Sequence, residues 1–297
     1  MTSGAFVRQA SKFRGREIDP VAGRYHLYVS LACPWAHRTV ILRRLKGLEN
    51  AIGMTVVDPL RDERGWRFGR FHPDLVNGWT YLSEAYEATE PGFNGRISVP
   101  VLWDTQEGVI VNNESADIIE MLNADFDPIA GRPDLDLYPE DLRAEIDELN
   151  AWIYDDVNNG VYKAGFATTQ EAHEEAVVPL FEGLDRLEER LATRRFLTGD
   201  RITLADWRLF TTLVRFDAVY VGHFKCNIRR IADYPNLSGY LRDLYQQPGV
   251  ADTVDFDHIK RHYYMTHPSL NPSRIVPLGP LQDFSTPHGR AVTRQNV

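Results

Sequence analysis

Residues 24–47 read RYHLYVSLACPWAHRTVILRRLKG, and this stretch decides the fold. Arg24–Leu31 alternates and is rich in β-forming residues, which predicts a strand. Pro34 suits the first position of a helix, where its missing N–H costs nothing. TVILRRLK (39–46) continues that helix. Arg43, Arg44 and Lys46 fall in its last turn, where cations meet the negative end of the helix dipole. Gly47 suits the residue just past the helix end. The junction between strand and helix is Ala32-Cys33-Pro34.

Working outward, Ala51–Val57 reads as a second short strand, followed by a long, charged, Trp-containing insert over 58–95. Ser98–Trp103 and Gly108–Asn112 read as two further strands. Asn113-Glu114-Ser115 then opens the helix ADIIEMLN (116–123). The order β-α-β-(insert)-β-β-α is that of a thioredoxin-like α/β domain. Beyond it, Leu137–Tyr154, Gln170–Thr193, Thr203–Tyr220 and Tyr234–Gln246 carry apolar residues at helical spacing, and short connections imply an all-α bundle. Thr203-Leu-Ala-Asp206 has the form of a capping box with Asp in place of Glu or Gln. Asp127–Pro139, with Pro128, Gly131, Pro133 and Pro139, reads as the linker. The expected division is an arm over 1–22, the thioredoxin-like domain over 23–126, the helical domain over 135–265 and a tail over 266–297.

The 297 residues suffice for two domains without a disulfide framework. A net charge of −9 argues against nucleic acid or an anionic membrane as the main partner. Two cysteines, Cys33 and Cys226, exclude a disulfide-rich scaffold and an all-cysteine zinc site, and suit a reducing compartment. No His/Cys cluster has ligand spacing, so no metal is expected. The N-terminus lacks a signal-peptide core and no apolar run is long enough to span a membrane, so the expected location is the cytoplasm. Residues from about 268 onward are rich in Pro, Gly, Ser and Thr and read as an irregular surface tail or a partly disordered one.

Cys33 carries the chemistry. At the N-cap of a helix its sulfur could accept hydrogen bonds from the N–H of Trp35 or Ala36, and the helix dipole favours thiolate. Cysteines so placed have pKa values lowered from about 8.5 to roughly 3.5–7.5. The residue that would hold a second cysteine is Ala36, so a mixed disulfide on Cys33 needs an external thiol to resolve it. The alternative is a small buried hydrophobe. Cys226 has no such context and reads as a bystander, with a Cys33–Cys226 pair left open. Val99-Pro100 is either the cis-proline of a thioredoxin-like fold, exposing the Val99 backbone to an extended peptide ligand, or a trans proline at a strand start. Glu114-Ser115 at a helix N-terminus could hold a carboxylate and an ammonium together, or simply cap the helix.

These residues resemble the glutathione transferase superfamily, and more narrowly its Xi class, the glutathionyl-hydroquinone reductases. The resemblance rests on RYHLYVSLACPWAHR (24–38), VPVLWD (99–104), IVNNESADII (110–119), NNGVYKAGFATTQ (158–170) and LTGDRITLADWRLFTTLVRFDAVYVGHFKCN (197–227). It implies the glutathione transferase fold, with an α/β thioredoxin-like domain followed by an all-α domain, and glutathione as co-substrate. It implies reduction of glutathionyl-hydroquinones to hydroquinones through a Cys33–glutathione mixed disulfide, with release of glutathione disulfide. By the same resemblance Trp66, Arg96, Val99, Glu114 and Ser115 match glutathione-binding positions. Tyr162, Tyr220 and Tyr263 match tyrosines around the aromatic substrate, with Tyr264 adjacent to the last. Asp206 matches a buried folding aspartate. Arms that wrap the core and a homodimer are also implied. The competing activities are conjugation of electrophiles, a general thioltransferase or dehydroascorbate-reductase-like activity, and a non-enzymatic scaffold. Cysteine in place of Ser or Tyr argues against conjugation.

Overall fold

The computed structural model describes residues 3–290. The compact units are two. One holds Gln9–Asp136 and Asp252–Val276; the other holds Leu137–Ala251 with the described chain ends, up to Arg8 and from Pro277.

The first unit is built on a four-stranded sheet of order β2-β1-β3-β4, with β1 Tyr25–Val29, β2 Gly53–Val56, β3 Val101–Asp104 and β4 Val109–Asn112. β1 pairs parallel to β2 and antiparallel to β3, with Leu27 opposite Met54 on one side and Leu102 on the other. All five β1 residues are buried, as a strand covered on both faces requires. Helix α1, Pro34–Leu45, starts on Pro34 as the sequence predicts. It ends at Lys46 and Gly47, where Gly47 takes φ +64° and an added Cβ would meet the Gly131 backbone at 3.2 Å. Lys46 is fully buried; its ammonium donates to the Asn123 and Leu135 carbonyls and pairs with Asp127, which ties the linker to the helix end. The insert contains a helix absent from the sequence reading, α2 Ser83–Thr89. Helix α3 spans Ser115–Asn123.

Residues 9–16, unassigned by pattern, lie along β4. The Gly15 N–H donates to the Val111 carbonyl (2.9 Å), the Asn113 N–H donates to the Phe13 carbonyl (2.9 Å), and Arg14 makes two hydrogen bonds to Asp117. The sheet edge is thereby covered.

The second unit contains α4 Arg143–Trp152, α5 Gly160–Gly165, α6 Gln170–Leu191, α7 Leu204–Arg215, α8 Val221–His223 and α9 Pro235–Tyr245. Ile153–Asn158 and Phe216–Tyr220 widen into π-helix. The Thr203–Asp206 capping box opens α7. The tail binds this unit: Gln246 donates to the Phe284 and Thr286 carbonyls, and Phe284 packs on Tyr245. A last helix, α10 Phe256–Thr266, which the sequence reading grouped with the helical domain, falls in the sheet-based unit. There His37 bonds Thr253 at 2.8 Å and His262 bonds the Pro59 carbonyl at 2.7 Å. Of the expected arm and tail, residues 1–2 and 291–297 lie outside the described residues. No helix of the described residues is long and apolar enough to cross a membrane.

Candidate active site

Cys33 stands between β1 and α1, partly exposed, with extended backbone at the N-cap position. Its side chain makes no capping hydrogen bond, which corrects the expectation that Trp35 or Ala36 would donate to the sulfur. The thiol donates instead to the Val99 carbonyl, 3.7 Å away. An S–H is a weak donor, and a backbone carbonyl oxygen is an acceptor that suits it. Val99 is buried and the Val99–Pro100 bond is cis, which resolves the alternative left open by the sequence. Both cysteines are free. Cys226 is completely buried, and burial pushes its thiol far up, away from thiolate.

Trp66 is buried in the insert and lies in a stack. The His262 ring sits 4.9 Å away at an interplanar angle of 21°, and the Arg61 guanidinium lies 5.0 Å from the Trp66 centroid. The bond from His262 Nδ1 to the Pro59 carbonyl puts the proton on Nδ1. Burial, with His267 adding to it, holds His262 at a pKa of about 3, so the ring is neutral. Burial pushes the Arg61 guanidinium down, Arg96 adds to that, and Cys33 opposes it. Arg61 thus lies within electrostatic reach of Cys33 and Arg96 while stacking on Trp66. Arg96 is exposed and makes no ion pair with the described residues.

Glu114 is the N-cap of α3, and its carboxylate accepts from the Ala116 N–H (3.2 Å) and the Ser11 hydroxyl (2.9 Å). Ser115 is buried, its hydroxyl accepting from Arg38 at 3.4 Å. Tyr263 lies buried on α10, edge-on to His262, whereas Tyr264 is half-exposed. The sheet-based unit therefore contains Cys33, Trp66, Arg96, Val99, Glu114, Ser115 and Tyr263.

Tyr162 and Tyr220 belong to the helical unit, and there they meet, with centroids 6.1 Å apart. Phe224 stacks on Tyr220 at 5.4 Å and packs edge-on to Tyr162 at 5.5 Å. An added Cβ on Gly165 would fall 2.2 Å from Phe224, so only glycine admits this cluster. The Arg8 guanidinium covers Tyr162 at 4.6 Å and donates to Asn159 at 2.7 Å. Ser11, Arg61, Arg8 and His262 escaped the sequence reading. A positive charge beside Trp66 and a serine in an arm carry no pattern until the chain is folded.

The fold is that of a glutathione transferase, and family descriptions agree. Residues 32–125 match the glutathione S-transferase N-terminal domain and residues 170–243 the C-terminal domain. The chain is 53% identical to the glutathionyl-hydroquinone reductase YqjG of Escherichia coli, over 98% of this chain and 94% of that protein. The glutathione-bound structure of YqjG superposes with a TM-score of 0.89 at 55% identity, covering 91% of this chain and 89% of that one. The glutathionyl-hydroquinone reductase PcpF of Sphingobium chlorophenolicum is 53% identical over 95% of this chain and 91% of its own length. The Xi transferase of Phanerochaete chrysosporium gives a TM-score of 0.91 at 52% identity, over 94% and 93% of the two chains. The chain belongs to the Xi-class glutathione transferases, the glutathionyl-hydroquinone reductase family.

Proposed function

We propose that this protein reduces glutathionyl-hydroquinones to hydroquinones with glutathione, and that Cys33 is the nucleophile. The Cys33 thiolate attacks the sulfur that joins glutathione to the aromatic ring. A Cys33–glutathione disulfide forms, the carbon–sulfur bond breaks, and its electron pair stays on the ring carbon, which takes up a proton. A second glutathione thiolate then attacks the glutathione sulfur of the mixed disulfide. Glutathione disulfide leaves and the Cys33 thiolate returns. Over the cycle one glutathione thiol and the thioether sulfur of the substrate are oxidised to the disulfide, the ring carbon is reduced, and Cys33 is regenerated. Ala36 in the second-cysteine position leaves resolution to the external thiol.

Within this reading the Val99 backbone pairs with the cysteinyl unit of glutathione. Glu114 receives the γ-glutamyl ammonium, while Ser115 and the α3 N-terminus receive its carboxylate. Arg96 pairs with the other carboxylate, and Trp66, fixed by Arg61 and His262, contacts the tripeptide. Tyr162, Tyr220 and Tyr263 serve the aromatic half, as donors to the hydroquinone oxygens or the leaving carbon. Glutathione recognition lies in 23–126 and the aromatic half draws on 135–265, with α10 joined to the former. The protein acts as a homodimer, and its need for two reduced thiols suits the cytoplasm.

The observation that carries this reading is the Cys33 thiol beside the Val99 carbonyl, at the start of a helix with no second cysteine. The test runs glutathionyl-hydroquinone beside a halonitrobenzene electrophile, with wild type and Cys33→Ala. Hydroquinone release that vanishes in the variant supports the reading. Turnover of the electrophile alone, or full hydroquinone release by Cys33→Ala, contradicts it.

A further inference from the structure

We propose that the N-terminal arm is part of the glutathione site, and that Ser11 is a positioning residue for Glu114. The proposal rests on the assignment of Glu114 to the γ-glutamyl ammonium.

The arm is fixed where it passes α3. The Phe13 N–H donates to the Asn113 side chain at 3.0 Å, and the Asn112 side-chain amide donates to the Gly15 carbonyl at 3.0 Å. An added Cβ on Gly15 would stand 2.9 Å from the Val111 carbonyl, so the close approach depends on glycine. Arg14 clamps Asp117 from two guanidinium nitrogens, at 2.7 and 2.8 Å. These contacts, made by the residues just after Ser11, hold the arm against the loop that carries Glu114.

The Ser11 hydroxyl has one hydrogen and two acceptors in reach: Glu114 Oε2 at 2.9 Å and the Asn113 carbonyl at 3.2 Å. The carboxylate is both nearer and charged, so it takes the hydrogen. Glu114 is then held at both oxygens, by Ser11 at Oε2 and by the Ala116 N–H at Oε1. A carboxylate pinned at one oxygen turns about that contact. One pinned at both presents its remaining lone pairs in a fixed direction, which an ammonium ligand requires. Ser11 bonds Glu114 directly, so it acts through the direction in which that carboxylate is held.

The test uses the full-length protein and two ligands. One is glutathione; the other is its analogue lacking the α-ammonium, glutaryl-cysteinylglycine. Dissociation constants are measured by titration calorimetry for wild type, Ser11→Ala, Ser11→Thr, Glu114→Gln and Arg16→Gln. Arg16 lies on the same arm but pairs with Glu120, so its variant reports general loosening of the arm. Ser11→Ala is expected to weaken glutathione about tenfold, the scale of one charge-assisted hydrogen bond. It should leave the analogue within about twofold, and Ser11→Thr should restore glutathione binding. Equal weakening of both ligands by Ser11→Ala, an equal effect of Arg16→Gln, or no effect of Ser11→Ala overturns the positioning role. If Glu114→Gln binds both ligands as wild type does, the assignment of Glu114 falls instead, and the proposal with it.

Discussion

Asp206→Ala removes a carboxylate that is fully buried at the start of α7. Its Oδ1 accepts from the Leu197 N–H (2.9 Å) and the Tyr240 hydroxyl (2.8 Å). Its Oδ2 accepts from the Thr203 N–H (2.8 Å) and the Thr203 hydroxyl (3.1 Å). Burial pushes this carboxyl up, and the Leu197 and Thr203 bonds work against that. Alanine takes this partner from two backbone N–H groups and two buried hydroxyls, those of Tyr240 and Thr203. At about 1–1.5 kcal/mol for each of the four donors, the low end of the usual penalty, the loss is on the order of 4–6 kcal/mol. That is a large part of a typical stability of about 5–15 kcal/mol. For a unit of this size it corresponds to a fall in Tm of roughly 10–20 °C. Asp206→Asn keeps one acceptor oxygen and should lose about half as much. The assay is calorimetric melting together with turnover per folded molecule at a temperature below both transitions. The reasoning predicts a low Tm with unchanged turnover. A Tm within about 4 °C of wild type refutes the cap; normal melting with lost turnover makes Asp206 a catalytic group.

Acidification should destabilise the sheet-based unit. Burial holds His26 and His258 at pKa values of about 4 and His262 at about 3, all below the ordinary value of 6.5. The unfolded chain therefore takes up protons that the native state refuses. Stability present above pH 6.5 is lost as pH falls toward 4, by on the order of 1 kcal/mol per histidine at pH 5.5. Equal denaturant midpoints at pH 7.5 and 5.5 contradict this. Cys226→Ser should leave turnover per folded molecule intact, and iodoacetamide should label the native wild type at Cys33 only. Labelling of Cys226 at a comparable rate contradicts its burial.

Much of the fold was legible because its signals are local. A β-rich run into Cys33-Pro34 marks β1, the junction and α1, and Gly47 marks the end of that helix. Thr203 and Asp206 spell their own cap. Glu114-Ser115 stands at a helix start and is visible as such. What escaped is what folding brings together from afar. Ser11 and Glu114 are 103 residues apart in the chain. Trp66 gains its orientation from Arg61 and from His262 on α10, a helix the periodicity did not reveal. That helix completes the sheet-based unit although it follows the bundle in sequence. The hydrogen bond of Cys33 escaped for a different reason: the N-cap position is local, but the thiol's partner, the Val99 carbonyl, belongs to the segment just before β3 and is met only in the folded chain.

The central claim is that Cys33 takes glutathione from the substrate. The protein is mixed with glutathionyl-hydroquinone and no added thiol, and peptide mass spectrometry is run beside quantitation of released hydroquinone. One hydroquinone should be released per active site, with one glutathione disulfide-linked to Cys33 and discharged as glutathione disulfide when glutathione is added. Hydroquinone release with Cys33 unmodified, or an adduct on Cys226, would contradict the account.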